Sequence, residues 1–201
     1  MTLPLPPADV DRRKLAITEI PLGALMRISQ AAFPNAVYFG DTLTYRFDAP
    51  DGSYGVMYAG FDLVTCVAET LIRAFDNEAE RSPLMKRYLI DRIVASFAPA
   101  NLKLELVDLT VPNLSLGVDG RISTDDNYAT TQQWSKAFFH HPQQPDGILF
   151  QSRQYPSRRN VAIFNRPHLT KAIKESKRVA LGKHPEFRQV LQIPNIEIVG
   201  P

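Results

Sequence analysis

The sequence predicts an α+β fold in one domain. Strand-like and helical segments are interspersed without the regular alternation of a doubly wound sheet. At 201 residues with 44% hydrophobic content, the chain can bury a full core yet stays near the upper size of a single domain. It carries no internal repeat and no low-complexity block, and its prolines fall as punctuation between short periodic segments.

Prolines at 4, 6 and 7 predict an extended arm over residues 1–14, whose charged and polar stretch Asp11 to Lys14 can stay solvated, with the folded domain spanning 15–201. Thr42 to Phe47 alternates, so it reads as a strand with Leu43, Tyr45 and Phe47 on one face and Arg46 on the other, ended by a turn over Asp48 to Gly52. Tyr54 to Gly60 reads as a second strand, with glycines where backbones can approach closely. Asp62 is a good N-cap for a helix whose apolar stripe is Val64, Val67, Ala68, Leu71, Ile72 and Phe75, and Glu69 falls beside that stripe. Leu102 to Asp108 alternates as a half-exposed strand. Asp125 to Phe139 is an acid-capped helix stopped before Pro142. Gly147 to Ser152 and Asn160 to Phe164 are strands joined by the basic loop Arg153 to Arg159.

Charge and motifs narrow the chemistry. A formal charge of +2 is a near balance of signs, so nucleic acid is not the first partner to expect. The sole cysteine, Cys66, has no mate and sits in an apolar stripe, which reads as packing and argues for a cytoplasmic address. No segment is long and apolar enough for a signal peptide or a membrane span. Glycine-rich phosphate loops, dinucleotide fingerprints, paired cysteines and HExxH are all missing, and the adjacent His140 and His141 fit a helix end better than a metal.

What remains is a dispersed polar set at the ends or edges of elements: Arg27, Arg46, Tyr58, Glu69 and Ser152. The segments Leu25 to Ser29, Tyr45 to Asp48, Gly55 to Gly60 running into Ala68 to Thr70, Asp146 to Arg153, and Asn160 to Phe164 together resemble the successive motifs of the RES-domain family. The likeness runs from about Leu15 to Phe164. It implies an ADP-ribosyltransferase-like mixed sheet with surrounding helices and NAD as substrate. It also implies service as the toxin of a bacterial type II toxin–antitoxin pair, whose partner is an Xre-type helix-turn-helix antitoxin covering the active site. Self-association is left open.

On that resemblance, Glu69, Arg46 and Ser152 are the expected catalytic residues, and Arg27, Arg46, Tyr58 and Ser152 the expected NAD contacts. No metal and no cofactor beyond NAD are expected, with inorganic phosphate a candidate co-substrate. The residue types suit the chemistry. Cleaving the nicotinamide–ribose bond builds positive charge on the ribose, which a carboxylate stabilises. Nicotinamide leaves as a neutral base, so one carboxylate suffices. Guanidinium groups match the pyrophosphate. Tyr58 offers a flat face for nicotinamide or a hydroxyl for ribose, and Ser152 a hydroxyl for the carboxamide or for orienting Glu69. The acceptor is open between water, phosphate and a protein side chain, the last making the enzyme an ADP-ribosyltransferase. The basic residues Arg153, Arg158 and Arg159 and the stretch Lys171 to Lys183 are the only support for a nucleic-acid-binding or RNA-cleaving toxin.

Overall fold

The computed structural model describes residues 2–72, 82–85, 89–125, 127–193 and 196–199. Its strands are β1 (Ile17–Pro21), β2 (Met26–Gln30), β3 (Val56–Gly60), β4 (Ser82–Met85), β5 (Arg92–Ala98), β6 (Lys103–Asp108), β7 (Gly147–Gln151), β8 (Arg159–Phe164), β9 (Lys174–Ala180) and β10 (Ile196–Val199). Its α-helices are α1 (Leu63–Val67), α2 (Arg121–Thr124), α3 (Tyr128–Phe139), α4 (Pro167–Ala172) and α5 (Phe187–Val190). Eight strands form one sheet in the order β1-β6-β7-β8-β3-β2-β5-β9, and β10 pairs with β4 apart from it. Within the large sheet only β6 and β7 run parallel; every other neighbouring pair is antiparallel. The molecule is therefore α+β, as its segment pattern predicts.

The central strands are covered on both sides. Ile148, Phe150, Ala162 and Phe164 pack against Trp134 and Phe138 of α3, while Leu149, Val161 and Ile163 point the other way, with Leu169 of α4. That is why β7 and β8 read as apolar runs and not as alternating half-exposed strands. A third cluster joins α1 and the turn after it to β2 and β5 through Val64, Val67 and Leu71 against Ile28 and Val94. The expected cap of α1 is present: Asp62 accepts from the Thr65 backbone N–H at 2.9 Å and from its hydroxyl at 2.8 Å. Past Val67 the helix widens into a π-type turn over Ala68–Ile72. Phe75, expected to end the stripe, lies outside the described residues.

Two expectations are corrected. The alternating stretch Thr42 to Phe47 is not a strand. Leu43 takes a left-handed backbone with φ 62°, and the two expected faces are not kept: Leu43 and Tyr45 are 48% and 43% exposed, whereas Arg46 is buried along with Phe47. Hydrogen bonds from elsewhere in the chain override the local pattern. Gln132 of α3 donates to the carbonyls of Leu43 and Tyr45, Thr131 to that of Arg46 and Ser135 to that of Phe47. The second concerns the domain start expected near Leu15. Leu3 is buried in the α3 core, its N–H donates to Asp125, and Pro4 accepts from the Trp134 indole at 2.7 Å. Packing thus begins twelve residues before Leu15, the expected start of the domain.

The basic stretch after Lys171 is largely β9, an edge strand whose lysines blunt its exposed hydrogen-bonding row. One of its salt pairs is also structural: Arg178 bonds Glu175 at 2.6 Å and the Phe33 carbonyl at 2.8 Å, and Glu175 accepts from the Ala36 N–H at 2.6 Å. These contacts fix the loop after β2.

Candidate active site

That loop, the irregular segment before β3, the turn after α1 and the end of β7 enclose a cleft of about 700 Å³. The volume lies in the usual range for small-molecule and cofactor sites, roughly 300–1,000 Å³. Arg27, Arg46, Tyr58 and Glu69 all line it. Four of the five residues singled out in the sequence therefore meet in one cavity, and the fifth, Ser152, bonds one of them, Glu69, from outside the lining.

Glu69 is placed by the widened turn after α1. Its Oε1 accepts from the Ser152 hydroxyl at 2.6 Å and from the Arg153 backbone N–H at 3.1 Å. Ser152 is buried and does not line the cleft. Its own N–H is tied to the Arg158 carbonyl, and its Oγ accepts from the Tyr155 N–H at 3.0 Å. With that oxygen already accepting, its single hydroxyl proton is directed at Glu69. The serine thus orients the carboxylate.

Arg46 is 7% exposed and is held by backbone carbonyls, Asp125 at 2.5 Å and Ile122 at 3.4 Å, with its guanidinium 4.9 Å from the Tyr128 ring centre. Arg27 on β2 gives Nη1 to the carbonyls of Ala36 and Tyr38 at 3.1 and 2.8 Å. Burial lowers its pKa below the ordinary arginine value, nearby tyrosines offsetting part of this, yet the group stays charged at physiological pH. Both arginines therefore brace the loops that form the walls as well as facing the cavity.

Tyr58 on β3 donates to Asp48 at 3.0 Å and accepts from the Phe47 N–H at 2.9 Å. The other Asp48 oxygen accepts from the N–H groups of Thr44 and Tyr45, each at 3.0 Å. Burial, then the Asp48 carboxylate, pushes the phenol well above its ordinary pKa, so it remains a neutral donor. Its hydroxyl is spent on the loop, which leaves its ring as the surface it offers the cavity.

Several lining residues escaped sequence reasoning, among them Tyr38, Ser123, Tyr128, Arg153, Gln154 and Asn160. Arg153 and Asn160 bound the quoted motifs and could have been found there. Tyr128 and Ser123 reach the cleft only through the packing of α3 and α2, which no local pattern encodes. Cys66 also lines it, buried, with its thiol bonded to the Met26 carbonyl at 3.4 Å and burial pushing its pKa up to about 12. It is a neutral wall group and not a nucleophile. His141 is buried beneath the arm, with Nδ1 accepting from the Gln143 N–H and Nε2 3.0 Å from the Arg13 carbonyl. Among the described residues no three His, Cys, Asp or Glu side chains gather as metal ligands.

No functionally curated protein matches the sequence. A solved structure that does match in fold is the toxin MbcT from the M. tuberculosis MbcT–MbcA toxin–antitoxin complex. The TM-score is 0.58 at 15% identity, over 85% of this chain and 88% of that one. The family model for the RES domain matches residues 24–187, which extends the likeness beyond Phe164 through β9 to the start of α5. The chain belongs to the RES-domain family.

Proposed function

We propose that this chain destroys NAD by breaking its nicotinamide–ribose bond and acts as the toxin of a toxin–antitoxin pair. The observation that carries the reading is the Glu69 carboxylate, fixed by Ser152 at 2.6 Å and by the Arg153 N–H at 3.1 Å on the wall of a cleft that also contains Arg27, Arg46 and Tyr58. A carboxylate that is already oriented stabilises positive charge on the ribose without reorganising as the bond breaks. The C–N bond electrons leave with nicotinamide as a neutral pyridine. The anomeric carbon then takes an oxygen from water or phosphate, whose proton passes to solvent or to the carboxylate. Arg27 and Arg46 supply the positive field for the pyrophosphate, and the Tyr58 ring gives the nicotinamide a face to lie on.

The structural relative was solved with its antitoxin, which supports a partner that restrains this chain too. An Xre-type helix-turn-helix partner presenting an acidic side chain or a terminal carboxylate to Arg27 and Arg46 would compete with the pyrophosphate.

The test is incubation of purified protein with NAD, with and without phosphate, and identification of the products. Free nicotinamide is expected in both, with ADP-ribose or its 1-phosphate naming the acceptor. Glu69→Gln should lower turnover by several orders of magnitude at unchanged thermal stability. Intact NAD after incubation, or near-native turnover in that variant, would overturn the assignment.

A further inference from the structure

Among the described residues, two buried side-chain polar atoms have no hydrogen-bond partner, Ser123 Oγ and Asn160 Nδ2. Both residues line the cleft of the active site. Buried donors are rarely left unpaired, because each forfeits the bond it had with water. Both atoms are themselves buried, but they belong to residues that line one cavity, so a molecule that enters it can supply the missing partner through a small turn of the side chain.

Asn160 is the better placed of the two. It is 5% exposed and lies on β8 opposite Gly60 of β3, two register steps beyond the Tyr58–Ala162 pair. Period-two alternation puts Asn160 on the sheet face of Ala162 and Phe164, which Tyr58 shares from the neighbouring strand. Gly60 has no side chain to cover the amide. A Cβ there would lie 3.2 Å from Asn160 Oδ1 and 2.8 Å from Cys66 Sγ, so the bare backbone keeps the ground between them open. Cys66 belongs to α1, one turn before Glu69. The amide thus shares a sheet face with Tyr58 and approaches, across Gly60, the helix whose next turn carries Glu69.

We infer that Asn160 is a specificity-determining residue that donates its Nδ2–H to the carboxamide oxygen of the nicotinamide ring; this rests on the proposed cleavage of NAD. The donor inventory selects that atom. Glu69 can only accept, so it takes ribose hydroxyls. The unpaired Asn160 atom can only donate, so it needs an acceptor on the leaving group, and the carboxamide oxygen is the acceptor that nicotinamide offers. A site built to pair a buried polar group discriminates against an analogue that cannot pair it.

The experiment compares kcat/KM for NAD and for its thionicotinamide analogue, in which a weakly accepting sulfur replaces that oxygen, using wild type, Asn160→Leu and Asn160→Asp. Asn160→Leu is expected to lower kcat/KM about tenfold on NAD and far less on the analogue. Asn160→Asp, of the same shape but without the donor, should lose the same preference. Thermal melting separates this from a structural role: replacing an unpaired buried amide by an apolar group of like volume should leave Tm unchanged or higher. Equal losses on both substrates, or a lowered Tm with the preference retained, would overturn the inference while leaving NAD cleavage intact. A wild-type protein that leaves NAD uncleaved would remove the parent reading instead.

Discussion

Deleting the Ser152 hydroxyl takes from Glu69 its 2.6 Å hydrogen bond and leaves the Tyr155 N–H without its acceptor. Because Ser152 does not line the cleft, substrate contacts are untouched. Ser152→Ala should therefore lower kcat about 10–100-fold, the worth of one hydrogen bond to a charged group, with KM nearly constant. A variant with raised KM and unchanged kcat would show that the serine meets substrate directly. Arg46 behaves differently. It reaches the cleft but also bonds the carbonyls of Ile122 and Asp125, so replacing it by alanine costs stability as well as affinity, and lysine is the more informative change. Residues of the first kind are legible in a sequence once a motif marks them, since strand ends and helix edges follow from periodicity. The unpaired amide of Asn160 is not legible there, because hydrogen-bond satisfaction depends on neighbours distant in the chain.

Several element ends built from local signals followed the sequence, although α3 starts at Tyr128 after Asn127 with no side-chain cap, and not on an acidic cap at Asp125 as expected. Asp62 caps α1, Pro142 lies just past α3, and β7 and β8 flank the basic loop. The segment before β3 did not, because four side chains of α3 and β3, Thr131, Gln132, Ser135 and Tyr58, take its backbone bonds and hold Arg46 inward. Alternation over six residues cannot compete with such anchors when no neighbouring strand pairs with it. A different constraint acts where strands approach closely. At Gly147, the start of β7, a Cβ would collide with the Ala162 carbonyl oxygen and lie 2.9 Å from Ile163 Cα. Both obstacles are backbone, so neither can swing aside. Gly147→Ala should destabilise the fold by about 1–3 kcal/mol, read as a lower Tm. An unchanged Tm would mean that β7 and β8 can separate there at little cost. Since β7 ends next to Ser152, activity should fall with it.

Across the whole molecule, the parts added around the sheet are tied down by carboxylates. Asp125 accepts from the Leu3 and Asn127 N–H groups, and its pKa is lowered mainly by the Asn127 bond, with Leu3 and Arg46 adding to it. Glu175, lowered first by Arg178, holds the loop after β2 through the Ala36 N–H. Asp9 and Asp119, lowered by Arg13 and Arg121, orient those arginines, which bond the carbonyls of Ser115 and Thr2 and so tie the arm to the turn before α2. The sign follows from the direction of all four shifts. A carboxylate whose folded pKa lies below its unfolded value contributes stability that is fully present above the unfolded value and is lost as pH falls through the folded one. The loss therefore begins below about pH 4, the ordinary range for these side chains. The sheet and its apolar layers carry no such dependence, so the periphery should loosen first. Between pH 5 and pH 3 an acid-active protease should gain access to the arm and to the loop after β2 while far-ultraviolet dichroism holds steady. Asp125→Asn should make the arm accessible already at pH 7 and flatten its response to acid. Because the exposed pairs are screened by salt, 1 M salt at pH 7 should reproduce part of the loosening. Cleavage that stays flat over this range, or begins only when the dichroism collapses, would show that apolar contacts such as Leu3 hold the arm without help from these charges.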